Sequence, residues 1–158
     1  MKTRHTATLW EMPDKRISYD NLRRNRMTDR ILHVDDDPIF LDLVQAIFRN
    51  NKQVIVTSRD NAENALASIQ SLKPDLIISD IAMPNMGGLT FIHELRAVPQ
   101  TAQTPIILLS GRAQNLEAYS TFREMDLIIM EKPVDPDRLR SKVEALLARA
   151  KSGLPTAE

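Results

Sequence analysis

The chain reads as a doubly wound α/β protein, a five-stranded parallel sheet in the order 2-1-3-4-5 with five flanking helices. Three observations predict this. Five short runs rich in Ile, Leu and Val recur from residue 31 onward. Each is apolar on both faces, as strands covered on both sides require. Segments of helical spacing lie between them, and that alternation is the pattern of βαβ units.

The strands fall at "ILHV" (31–34), "QVIVT" (53–57), "DLIIS" (75–79), "TPIILLS" (104–110) and "DLIIME" (126–131). The first helix, "DDPIFLDLVQAIFRN", opens with acids that can cap free N–H groups and with Pro38, which fits a first turn. Its spacing predicts an inward stripe of Ile39, Leu43, Ala46 and Ile47. In "RDNAENALASIQSL" the face is Ala62, Ala65, Leu66, Ile69 and Leu72, with Asp60 and Glu63 read as a capping box. "LTFIHELRAV" and "RAQNLEAYSTFREM" give two further helices. "VDPDRLRSKVEALLARA" closes the domain, with Asp135 as cap, Pro136 at the first position, and Leu139, Val143, Leu146 and Leu147 inward.

The 158 residues suffice for one domain. Hydrophobic content of 42% and charged content of 27% are ordinary for a globular protein, and the absence of cysteine excludes disulfides and thiolate metal sites. Neither a membrane span nor a signal peptide is apparent, so a cytoplasmic location is expected. The net charge of zero is uneven: residues 1–29 carry seven basic and four acidic residues, and residues 30–150 carry 13 and 16. A mildly acidic body argues against broad nucleic-acid binding. The expected division is residues 1–28 as a disordered basic leader or a misplaced start, 29–150 as the folded domain, and 151–158 as a polar tail. With eight residues after Ala150, direct DNA binding is not expected.

Chemistry gathers where the strands end. The first runs into Asp35-Asp36-Asp37, the third into Asp80 and the fourth into Ser110-Gly111, and Lys132-Pro133 follows the fifth. Parallel strands bring these residues to one rim, where ligands bind in such folds. Carboxylates suit Mg²⁺, an aspartate beside a cation can attack phosphorus, and a lysine and a hydroxyl can hold phosphoryl oxygens.

The stretches "ILHVDDDP", "DLIISDIAMPNMGG", "PIILLSG" and "EKPVDP" closely resemble the receiver domain of two-component response regulators, over about residues 29 to 150. The intervals agree too: 44 positions from Asp36 to Asp80, 30 to Ser110, and 22 to Lys132. The resemblance implies that Asp80 accepts a phosphoryl group from a phosphohistidine. It implies Mg²⁺ on Asp35, Asp36, Asp80 and the Ala82 backbone carbonyl, with Asp36 the more direct of the first pair. Lys132 would pair with the phosphorylated Asp80, Ser110 would swing toward a phosphoryl oxygen, and Lys132-Pro133 would be cis.

The implied protein is a switch or relay rather than a turnover enzyme. Its implied partners are a histidine kinase or histidine phosphotransfer protein and a target protein, the target meeting the 112–125 helix, the fifth strand and the last helix. "MPNMGG" is expected to leave room for the approaching histidine. The family's usual aromatic three residues before the lysine is Ile129 here, its usual loop acid is Gly87, and Gly111 and Met125-Asp126 also depart from its pattern. Ala82 and Arg112 stand where the family tunes dephosphorylation.

His33 reads as a core residue, His93 as surface, and the methionines of "AMPNM" as packing, as do Tyr119 and Phe122. An enzyme alternative is a phosphatase of the haloacid dehalogenase type, with Asp35 as nucleophile and Asp37 as general acid. It leaves Asp80 without a role and lacks that family's later acidic metal motif.

Overall fold

The computed structural model describes residues 26–111 and 127–152. The strands are β1 (Asp29–Val34), β2 (Val54–Arg59), β3 (Leu76–Asp80), β4 (Ile106–Ser110) and β5 (Leu127–Glu131). They form one parallel sheet in the order β2-β1-β3-β4-β5. The described helices are α1 (Pro38–Phe48), α2 (Ala62–Leu72), α3 (Gly88–Ala97) and α4 (Pro136–Ser152). The helix expected over 112–125, with Arg112, Tyr119, Phe122 and Met125, lies outside the described residues, as do residues 1–25 and 153–158.

Strand side chains alternate between two cores, as a two-residue period demands. Leu32, Val34, Ile77 and Leu108 join Ala65, Ile69, Phe91 and Leu95 on the α2–α3 face. Ile31, Ile78, Ile107 and Leu109 join Val44, Phe48, Val143 and Leu147 on the α1–α4 face. Every residue of β3 and β4 is buried. The edge strand β2 is not covered on both faces as its apolar sequence suggested, since Ile55 is 53% exposed. Its neighbours in the sheet fall on one side only.

Two local expectations are corrected. The inward residues of α1 are Val44 and Phe48, with Phe40 and Ile47 packed against the same core, while Ile39 is 74% exposed. The helix is therefore turned by about one residue from the stripe starting at Ile39. At α2 the cap is Asn61 rather than Asp60: its side chain accepts from the Asn64 N–H at 2.7 Å. Asp60 supports that cap by accepting from the Asn61 side-chain amide at 2.8 Å. The other caps stand as read. Asp37 accepts from the Ile39 N–H, and Asp135 from the Arg138 N–H. The inward face of α4 is Leu139, Val143, Leu146 and Leu147. That helix continues through Ser152, where Lys151 meets the buried Asp29 of β1 at 2.8 Å.

Candidate functional site

The carboxyl ends of β1, β3, β4 and β5 deliver the residues singled out above. Asp35 directly follows β1 and is fully buried, its own N–H donating to the Arg59 carbonyl. One of its carboxylate oxygens accepts from the Asp37 N–H at 2.9 Å. The other accepts from Lys132 Nζ at 2.9 Å. Asp80 ends β3 and is 5% exposed. Its Oδ2 accepts from the Ala82 N–H at 2.8 Å, and its Oδ1 lies 2.8 Å from Lys132 Nζ. One ammonium thus bridges two carboxylates that the chain separates by 45 positions.

Lys132 is held in turn by the backbone. Its N–H donates to the Ser110 carbonyl at 2.7 Å, tying the end of β4 to the turn after β5. Lys132-Pro133 is cis. Ser110 is buried, and its hydroxyl donates to the Gly111 carbonyl at 3.0 Å. Beneath the site, Gly88 at the start of α3 donates to the Ile81 carbonyl at 2.9 Å. Asn85 in the same loop adopts a left-handed φ of 65°.

The electrostatics follow from burial. Asp35 is pushed above the ordinary carboxylate range by loss of water, against the pull of the Lys132 and Asp37 N–H groups. Burial pulls Lys132 down, but Asp80 and Asp35 outweigh it, so the ammonium is held charged more firmly than in water. His33, on the same face of β1 as Asp35, is fully buried, and neither ring nitrogen has a hydrogen-bond partner among the described residues. Burial, then the charge of Lys132, lowers it to about 4. It is the packed core residue expected, and His93 is on the surface. Met83 is buried and Met86 packs against the same core.

Carboxylate oxygens of Asp35, Asp36 and Asp80 lie within 4.8 Å of one another, two of the residues buried and Asp36 exposed. Three hard oxygen donors, one open to solvent, form a set that fits Mg²⁺. Nothing in this geometry favours the phosphatase alternative, because Asp37 turns a carboxylate oxygen to the Ile39 N–H as the α1 cap. Sequence reasoning missed one neighbour. The ring of Phe40 lies 3.8 Å from Lys132 Nζ. Its place in the first turn of the helix that follows the acids was the available signal.

The fold and these residues define a class: a doubly wound α/β protein with an acid–lysine site at the carboxyl ends of its strands. Residues 31–144 match the family described as "Response regulator receiver domain". Response regulator Rre1 of Synechocystis is 33% identical over 119 residues, covering 75% of this chain and 52% of that protein. Protein PilH of Pseudomonas aeruginosa is 27% identical over 75% of this chain and 98% of its own length. The chemotaxis protein CheY4 of Vibrio cholerae superposes with a TM-score of 0.67 at 26% identity, covering 75% of this chain and 98% of that one. The chain spans about half the length of several curated relatives, including Rre1. It belongs to the response regulator receiver domain family, whose members are phosphorylation-controlled signalling switches. No helix among the described residues is long and apolar enough to cross a membrane.

Proposed function

We propose that Asp80 is the phosphoacceptor of this receiver, charged by a histidine kinase or a histidine phosphotransfer protein. The observation that carries the reading is the Lys132 ammonium held between Asp80 and the buried Asp35, with Asp36 beside them. A carboxylate oxygen of Asp80 attacks phosphorus, the P–N bond of the phosphohistidine breaks, and the imidazole leaves with the bonding pair. Asp35, Asp36, Asp80 and the Ala82 carbonyl would hold Mg²⁺. Bound there, the ion supplies positive charge against the phosphoryl oxygens.

The chain's own groups do the rest. The Ala82 N–H and Lys132 orient the Asp80 carboxylate before transfer. The new phosphoryl group puts extra negative charge beside Lys132, which can donate to it while keeping Asp35. Ser110 would turn its hydroxyl from the Gly111 carbonyl to a phosphoryl oxygen. Ile129 packs partly buried against the α2–α3 core, so an aliphatic side chain stands where the family's aromatic switch would be. The output is a biased surface read by a target protein, or onward transfer of the phosphoryl group in a relay. The protein acts as a switch in the cytoplasm rather than as a turnover enzyme.

Acetyl phosphate with Mg²⁺, followed by mass spectrometric mapping of base-labile phosphate, tests this. Label on Asp80 that Asp80→Asn removes and Asp35→Asn only weakens is the expected result. Label on Asp35 would overturn it.

A further inference from the structure

We infer that Phe40 is a positioning residue for phosphoryl transfer, its ring face holding the Lys132 ammonium between Asp35 and Asp80. The inference rests on the reading of Asp80 as phosphoacceptor and adds a group to that site.

An ammonium has three N–H bonds and no acceptor. The two carboxylates accept from Lys132 Nζ at 2.9 and 2.8 Å, and the Phe40 centroid stands 3.8 Å away. The distance is well inside the range at which the negative face of an aromatic ring attracts a cation. The lysine side chain is only 18% exposed, so little water competes for it. Lysine carries four rotatable bonds, and a cation free to swing must be ordered before it can meet a phosphoryl oxygen. A ring against its remaining side restricts that search, and a charge already in place needs no reorganisation as negative charge develops.

The ring is itself held. Phe40 packs against the core cluster that includes Val44, Phe48 and Met130, and it sits in the first turn of α1. The same helix end carries Asp37, whose N–H orients Asp35 and whose side chain caps the helix. One helix terminus therefore positions both an acid and the lysine. The one-residue rotation of α1 that leaves Ile39 in solvent is what turns Phe40 to Lys132.

Fluorination of the ring separates this role from packing, because each fluorine weakens the negative face while nearly preserving shape. The full-length protein would carry phenylalanine, 4-fluoro-, 3,5-difluoro- or 3,4,5-trifluorophenylalanine at position 40. The rate of Asp80 phosphorylation by acetyl phosphate would be followed by intact mass, and thermal unfolding recorded for each variant. The expected result is a stepwise fall in rate across the series, roughly two- to tenfold in total, in variants that all remain folded at the assay temperature. Phe40→Leu should be at least as slow as the trifluoro protein, and Phe40→Trp should keep the rate.

A flat series, or a rate that rises with fluorine, would overturn the role of the ring even if Phe40→Leu were slow. Failure of the unsubstituted protein to label at Asp80 is a separate result, which would sink the phosphoacceptor reading and the inference with it.

Discussion

Gly88 is pressed against Ile81: a β-carbon at position 88 would lie 2.9 Å from the Ile81 α-carbon and 3.2 Å from the Asp80 carbonyl oxygen. The glycine lets α3 begin directly beneath the residue that follows Asp80. Its neighbour Gly87 is different, since a β-carbon there would meet only the Ile81 carbonyl oxygen at 3.9 Å. The loop "MPNMGG" was expected to leave room for a partner's histidine; within it, Gly88 faces the protein's own backbone.

Gly88→Ala should therefore force α3 away from the end of β3, costing about 1–3 kcal/mol. It should also slow phosphorylation, because the displaced backbone carries Asp80. Gly87→Ser should stay within about 0.5 kcal/mol of the parent, since a serine at that position can cap the helix. Urea unfolding of the two variants checks this. Equal losses would refute the assignment of close contact to Gly88 alone.

Asp35→Asn should stabilise the protein at pH 7 in the absence of divalent cations. Burial raises the Asp35 pKa, so the folded state takes up its proton more readily than the unfolded chain does. The ionised form present at higher pH therefore costs stability, and a neutral amide removes that cost. Millimolar Mg²⁺ should narrow the difference by binding the parent protein more tightly. A lower melting temperature for Asp35→Asn without Mg²⁺ would contradict this.

His33 predicts a pH dependence of the opposite sign. Its pKa falls from 6.5 to about 4 on folding, chiefly through burial and then through the charge of Lys132. The unfolded chain binds the proton more readily, so this contribution to stability is complete above pH 6.5 and is lost as pH falls toward 4. The shift corresponds to roughly 3 kcal/mol. His33→Leu should lack this loss, so the stability gap between parent and variant should move in favour of the variant as the solution is acidified. Parallel pH profiles measured without divalent cations would show that His33 is not the group responsible.

Asn61→Ala should cost about 1 kcal/mol, the usual worth of a side-chain cap. Asp60→Ala should cost less, because Asp60 accepts from the cap rather than forming it. Chemical denaturation of both variants ranks them, and the reverse order would restore Asp60 to the capping role.

How far the sequence could be read is clearest in α1. "PIFLDLVQAIF" is apolar at 39, 40, 41, 43, 44, 46, 47 and 48, so stripes beginning at Ile39 and at Phe40 fit a helical period equally well. Nothing local chooses between them. The choice falls to the second: Phe40, Val44, Ile47 and Phe48 meet β-sheet side chains, and Phe40 finds Lys132. At α2, Asp60 and Asn61 are both good caps side by side, and only the path of the backbone decides which one faces the free N–H groups. At β2 the apolar run concealed an edge, because a strand's own residues do not say whether it has one neighbour or two.

Legible in the residues alone were the alternation of strands and helices, the two-faced burial of β3 and β4, and the arrival of Asp35, Asp80, Ser110 and Lys132 at one rim. These follow from side-chain periods and from the common direction of parallel strands, which are properties of local segments. Packing set the rest: the rotation of α1, the contact of Gly88 with Ile81, the lack of a hydrogen bond to the His33 ring among the described residues, and the aromatic face beside Lys132. Apart from the Gly88–Ile81 contact, which lies within one loop, these depend on distances between segments far apart in the chain, and such distances are set when the two cores pack.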